Sequence, residues 1–489
     1  MHNQEYILKK TSTLIDKKYY KEAKSVLLEL IKEAKNVKVD VRVYYLLYLV
    51  FDGLKEAKSA KKYLEKCLKI NKTNHIVLNN LANIYMKEGN TIKAEKFYLE
   101  SLEIKDDYLV ATINLAIFYQ DTGRLDEAKK FYLKAIDLSP KKISIYFNLS
   151  RIDRNFISEK KIKYLEDLMK NEKIESIDMA YGFFLLAEYE RKNFFFVKEI
   201  DYLKKGHQKI FNEKLNKNNQ TLNYWQNTIP VKYNKFSFIN DNKENELTKF
   251  NPIFIIGLPR SGSTMVEAIL SSGDTNVENL GETSIFNSAV VSTHNELKEK
   301  ENTKIDLDLI NNKVLKLMKD RNFLSTKSKI FTEKSLENFF YIDVILKLFP
   351  KAKFINTYRN IEDNVFAIFQ QALTKLSWTH SIENILKYVD NYLNIMDYFL
   401  KKYPNKIFSL DLEELTNNPE ETSKKIYSFS NLKWNERVLD FHKRKDLIIS
   451  TASNIQIRRN IQKYDHEKYR PYKEFLKKFS HKYTWINKD

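Results

Sequence analysis

Glycine and proline are scarce in this 489-residue chain, at 9 and 8. That scarcity excludes collagen-like and low-complexity classes and favours long helices. The single cysteine, Cys67, permits no internal disulfide, so the fold does not depend on an oxidising compartment. Its helical setting predicts a small buried hydrophobe. No run approaches the roughly 18 apolar residues that a membrane-spanning helix needs, and the stretch from Tyr44 to Phe51 is far too short. The start, MHNQEYILKK, has no apolar segment after its charges, so no secretory signal is expected. A soluble, cytoplasmic protein is the expectation. The histidines are dispersed and no Cys/His cluster or carboxylate pair has ligand spacing, which predicts no metal.

What is present is ample hydrophobic content, 43%, and a large positive charge, +19. A chain of this length predicts two or three domains. The charge suits nucleic acid, an anionic membrane surface or a multiply anionic small ligand. The lysines are scattered along the chain and no nucleic-acid signature accompanies them, so no nucleic acid partner is expected. Most of the excess reads as a solvated surface.

Comparing the chain with itself at a shift of 34 aligns Leu81, Tyr85, Gly89, Ala94, Phe97 and Tyr98 with Leu115, Tyr119, Gly123, Ala128, Phe131 and Tyr132. Leu47, Phe51, Ala60, Tyr63 and Leu64 extend the pattern backwards, and Leu149 follows it. Glycine turns the chain, alanine lets two helices approach, and the aromatics fill the seam. These positions resemble the tetratricopeptide repeat. A partial unit around Tyr20, Ala23, Leu27 and Ile31 is out of register, and a helical stretch at 181–211 reads as a degenerate repeat or capping pair. The helical domain is placed at 1–213. Such an array is either a spacer or a concave surface for a protein or peptide partner, including a larger acceptor.

Residues 214–250 read as a connector, and a second domain spans 251–489. It opens with an apolar run at 252–256, then Gly257–Thr264 (GLPRSGST), then a helical pattern in Met265, Val266, Ile269 and Leu270. Strand, glycine-bearing loop and helix together point backbone N–H groups at an anion. Strands at Lys329–Thr332, Lys353–Tyr358 and Lys406–Leu410 alternate with helices at Leu307–Met318, Phe339–Leu348, Ile361–Leu376 and Ile382–Lys401. That alternation predicts a mostly parallel α/β sheet.

The loop fits G-x-x-x-x-G-x-[ST], but Ser263 stands where the lysine of a nucleotide-hydrolysing loop belongs. A phosphoryl-transfer enzyme is disfavoured by that serine, and the cation has moved forward to Arg260. The PRSGST segment after an apolar strand resembles the loop of sulfotransferases that use 3′-phosphoadenosine 5′-phosphosulfate (PAPS). The arginine-led form is similar to tyrosylprotein sulfotransferases and bacterial relatives that carry tetratricopeptide repeats. Four further segments match in order: Gly281-Glu282; Thr332-Glu333-Lys334 with the following helix and strand; Arg359 to Asn364; and Thr451-Ala452-Ser453 through Gln456-Ile457-Arg458 to Lys468-Tyr469-Arg470.

The resemblance implies an enzyme that moves a sulfuryl group from PAPS to a hydroxyl acceptor and releases 3′,5′-adenosine bisphosphate (PAP). Arg260, Ser261, Gly262, Ser263 and Thr264 would hold the 5′-phosphosulfate. Arg359 would grip the 3′-phosphate, and Ser453, Arg458 and Lys468 would add donor contacts. Glu282 would be the base, with a pKa raised by burial; Lys334 would stabilise charge on the bridging oxygen, and His294 is a weaker candidate base. The family's serine eight residues after the arginine is Ala367 here, which weakens the 3′-phosphate assignment. A non-catalytic repeat scaffold with a decayed nucleotide domain is the remaining alternative.

Overall fold

The computed structural model describes residues 2–33, 39–240, 245–273, 277–297, 304–320, 328–444, 448–449, 451 and 453–486. Two compact units emerge, 1–140 with 319–322, and 141–318 with 323–489.

In the first unit, helix pairs follow one another: His2–Asp16 with Tyr20–Glu33, Val41–Gly53 with Ala57–Ile70, His75–Lys87 with Thr91–Ile104, and Leu109–Asp121 with Leu125–Leu138. Ala60, Ala94 and Ala128 are fully buried where paired helices meet. The 34-residue period also recurs as ring pairs: Phe51 on Tyr63 at 5.3 Å, Tyr85 on Phe97 at 5.5 Å, and Tyr119 on Phe131 at 5.6 Å. The pair at 2–33 joins the same scheme, with Ala23 and Leu27 wholly buried. Cys67 is buried too, and burial pushes its thiol up to about 11.

The second unit is built on five parallel strands in the order β3-β5-β2-β6-β7. Their ranges are β2 Asn251–Gly257, β3 Val277–Asn279, β5 Ile330–Glu333, β6 Lys353–Tyr358 and β7 Ile407–Asp411. A separate parallel ribbon pairs β1 (Ser237–Ile239) with β4 (Lys304–Asp306). Strand β2 is apolar from Pro252 to Ile256 because both faces are covered there. Ile253 and Ile255 enter a core with Val266, Ile269 and Leu270, while Phe254 and Ile256 enter another with Phe339, Phe354 and Phe369.

That second core also takes Ala180, Phe184, Leu203 and Ile210 from helices Ser176–Lys192 and Phe196–Glu213. The compact units therefore divide at Pro140, not near 213. Segment 214–250, read as a connector, is packed as well: Trp225 lies against Phe340 at 5.5 Å and Leu247 is fully buried. The helix predicted to run to Leu376 ends at Phe369, whose carbonyl faces His207 Nε2 at 2.7 Å. The histidine there is positioned to satisfy a carbonyl that the helix end leaves without an intrahelical partner.

Candidate functional site

In a parallel sheet the strand ends that follow the carboxyl direction share one edge, and ligands bind there. Pairing of Gly257 with Thr357, Glu333 with Phe254, Asn279 with Thr332 and Asp411 with Tyr358 brings the loop after β2, the Gly281-Glu282 turn, Lys334 and Arg359 to that edge.

The loop after β2 is shaped by backbone that side chains tolerate poorly. A Cβ on Gly257 would sit 2.3 Å from the Thr357 carbonyl oxygen. Gly262 has φ 92° with Leu412 2.6 Å from any added Cβ, and Arg260 itself adopts φ 69°. The loop is fastened from behind. Asn364 donates to the Pro259 carbonyl at 2.7 Å, and Ser261 Oγ donates to the Leu258 carbonyl at 2.6 Å while lying 2.8 Å from Thr357 Oγ1. Helix Ser263–Gly273 follows immediately, and the first turn of a helix leaves its N–H groups without intrahelical partners. Ser263 and Thr264 are buried in that turn, with Thr264 Oγ1 3.4 Å from Thr451 Oγ1.

Arg260 is half-buried, and its Nη atoms donate to Ser453 Oγ at 2.7 Å and Gln456 Oε1 at 3.0 Å. Its Nε is buried with no partner among the described residues. Burial, with Arg151 and Arg359 nearby, pushes its pKa down to about 10. Arg359 Nη1 lies 3.5 Å from the Arg260 carbonyl, and Nε and Nη2 donate to Tyr464 Oη at 3.1 and 2.8 Å. Tyr464 in turn donates to Asp363, and burial and that carboxylate push the phenol up. Two guanidinium groups thus share the loop, and Arg260 bonds only neutral side chains.

Beside the loop, Lys334 is fully buried and donates to Glu282 Oε1 at 2.7 Å, with Glu267 Oε2 at 3.7 Å. Burial pulls the lysine down, but Glu267 and Glu282 outweigh it and the net shift is upward. Glu267 is buried, its Oε1 has no partner among the described residues, and burial raises its pKa to about 7. Glu333 is fixed by Thr283, Ser335 and Asn338. Glu337 accepts from Ser284 at 2.9 Å and is raised to about 7 by burial.

The expected residues therefore separate. Arg260 to Thr264, Arg359 and Ser453 gather around the loop, and Glu282 and Lys334 form an ion pair at the same sheet edge. Arg458 donates instead to the Arg444 carbonyl at 2.9 Å, and Lys468 is exposed over the Tyr469 ring at 5.0 Å. Glu282 corrects one expectation: its side chain is 54% exposed rather than buried. The buried carboxylate that pairs with Lys334 is Glu267. A glutamate inside the apolar pattern Met265, Val266, Ile269, Leu270 was the available signal. Ala367 is buried in the apolar core, so no side chain stands there for a phosphate. Ala452 and the His294 side chain lie outside the described residues.

A glycine-bearing loop between strand and helix, lined with arginine at the carboxyl edge of a parallel sheet, is an arrangement that suits an anion. Residues 252–436 match the sulfotransferase family, and residues 41–74 and 74–141 match tetratricopeptide repeats. Along the chain, a sulfotransferase-family match thus follows tetratricopeptide-repeat matches. An uncharacterized protein of Aquifex aeolicus is 31% identical over 238 residues, which is 46% of this chain and 31% of that protein. The chain thus matches about a third of that relative's length. The sulfotransferase domain of the Synechococcus PCC 7002 olefin synthase aligns with 16% identity and a TM-score of 0.33, covering 45% of this chain and 87% of that one. PilF of Pseudomonas aeruginosa aligns with 16% identity and a TM-score of 0.33, covering 41% and 88%. Among the described residues no helix is long and apolar enough to cross a membrane.

Proposed function

We propose that the second unit transfers a sulfuryl group from PAPS to a hydroxyl acceptor. The observation that carries this reading is the charge balance at the loop. Arg260, with a buried and partnerless Nε and only neutral hydrogen-bond partners, stands beside Arg359. Arg359 has Asp363 Oδ2 at 4.0 Å, but Arg260 has no carboxylate partner among the described residues, so the loop is short of negative charge and an anion with several oxygens relieves it. Arg260 and the amides of Ser261 to Thr264 suit a 5′-phosphosulfate, and Arg359 a 3′-phosphate, which makes a bisphosphate nucleotide a better fit than a triphosphate. The absence of a lysine at Ser263 points the same way.

When bound, PAPS supplies the sulfuryl group and leaves as PAP. Glu282, half-exposed at the sheet edge, accepts the acceptor's hydroxyl proton once Lys334 loosens from it. Lys334 then stands ready, at short range and out of water, for charge developing on the bridging oxygen. Glu267 Oε2 lies 3.7 Å from that ammonium on its other side. Arg260 balances the sulfonate. Acceptors of this kind include a protein tyrosine, a carbohydrate or another alcohol, and the repeat surface recruits the larger ones.

Calorimetric titration of PAP into the wild type and Arg359→Ala, in moderate salt to suppress generic attraction, tests the donor site. Binding by the wild type that the variant loses is the expected result. No binding by the wild type would overturn the reading in favour of another phosphate ligand or a non-catalytic domain. Full activity of a 141–489 fragment on the natural acceptor would remove the recruiting role of the repeats.

A further inference from the structure

Five helix hairpins in the chain turn by the same device. Lys18, Lys55, Gly89, Gly123 and Phe194 take φ of 64°, 64°, 75°, 81° and 63°. In each, the next N–H reaches a carbonyl five residues back: Tyr19 to Leu14, Glu56 to Phe51, Asn90 to Tyr85, Arg124 to Tyr119 and Phe195 to Glu190. Glycine enters this left-handed region freely, and a lysine there keeps its ammonium in water. Phenylalanine has neither excuse and is an outlier in this conformation.

The fifth turn also stands apart in what it shows to solvent. Phe194 is 77% exposed, Phe195 55% and Val197 80%. None of the other four turns presents three apolar side chains together. The turn is nonetheless held firmly, because Phe196 packs on Tyr472 at 5.3 Å and Glu199, fully buried, accepts from Tyr472 and Gln370. Around it basic residues predominate. Residues 191–214 hold seven basic against three acidic residues, and 468–486 hold six against one. These stretches adjoin, since Lys204 and Lys478 both lie over the Phe475 ring, at 5.5 and 4.0 Å. Lys198 flanks the apolar tip, 5.0 Å from the Phe195 ring.

We propose that the 194–197 turn is a peripheral anchor for an anionic lipid surface. Phe194, Phe195 and Val197 enter the boundary between headgroups and acyl chains, while Lys198, Lys204 and the lysines of 473–478 meet the lipid phosphates. A lipid surface fits better than a folded protein. The apolar side chains project from the end of a hairpin, and a fluid interface needs no matching groove. The predominantly basic flank complements anionic headgroups. This inference does not rest on the donor assignment.

The test is co-sedimentation of the full chain with vesicles of phosphatidylcholine and phosphatidylglycerol at physiological salt, against vesicles of phosphatidylcholine alone. The wild type is expected to sediment with the anionic vesicles. Replacing Phe194, Phe195 and Val197 by serine should weaken that binding about tenfold or more, with melting temperature and PAP binding unchanged. Vesicle binding that survives the triple substitution would reduce the effect to bulk charge and overturn the proposal. So would no binding by the wild type, or self-association that the triple variant loses, which would make the turn a protein contact. Phe194→Gly alone, which relieves the backbone, keeps the test readable should the triple variant fold poorly: it should bind less while melting no lower.

Discussion

The repeat unit and the α/β unit treat polar groups in opposite ways. Within the repeats, each turn or seam recurs and polar side chains find partners one repeat away: Asn114 donates to Asn79 at 2.9 Å, and Arg124 pairs with Glu95 at 2.6 Å. Asn90 caps its helix through the Lys93 N–H. The buried side-chain polar atoms that lack partners among the described residues, Arg260 Nε and Glu267 Oε1 included, all lie in the second unit. A buried polar group left alone costs stability, so its survival at a sheet edge marks a place shaped for something other than stability.

Breaking the contrast at its sharpest point means removing Arg260. Arg260→Ala should lower sulfuryl transfer about 10²- to 10³-fold, the scale of losing one preorganised electrostatic partner, while circular dichroism of the repeats stays unchanged. Unaltered turnover of PAPS would remove the loop from the chemistry. Glu267 sharpens the same contrast through pH. Its folded-state pKa, about 7, lies above the ordinary 4.5, so its stabilising contribution is complete below pH 4.5 and is lost as pH rises through 7. Against Glu267→Gln, the wild type should lose up to about 3 kcal/mol over that window by chemical denaturation. A parallel pH dependence in the two proteins would show that the carboxyl is not held protonated.

One substitution can be made in both units. Gly257→Ala forces a Cβ to 2.3 Å from the Thr357 oxygen and should cost about 3 kcal/mol and displace the loop. Gly89→Ala meets nothing within 4 Å and should cost only about 1 kcal/mol, the strain of a left-handed alanine. Equal melting temperatures would mean that the loop is not clamped against β6. The smallest effect is expected at Tyr464. Its hydroxyl orients the Arg359 fork, so Tyr464→Phe should change PAP affinity by about 1 kcal/mol, less than Arg359→Ala does in the same titration.

Much of this was legible in the chain. A period of 34 in Tyr85 and Tyr119, Gly89 and Gly123, and Ala94 and Ala128 is local geometry written in sequence. The strand at 353–358 and the loop at 257–264 were legible for the same reason, because a short apolar run and a glycine-arginine loop carry their own period and conformation. Strands β1, β3 and β4 escaped notice because each has three residues, too few to show alternation. Glu282 was readable as a site residue by its Gly-Glu setting, but its exposure was not. Glu267 passed for a helix residue.

The sequence by itself determined the repeat array, the alternation of strands and helices, and the arginine-led loop, since each depends on residues within one turn, one strand or one repeat. Tertiary structure alone decided the rest. Helices 176–213 share a core with the sheet although their pattern resembles a repeat, because Phe184 and Leu203 find their apolar partners there. Only folding decided that Lys334 is buried between two carboxylates from different segments, that Tyr464 holds Arg359, and that Phe194 stands in solvent. Burial and pairing are properties of neighbours far apart in the chain, and no local pattern encodes which neighbours those are.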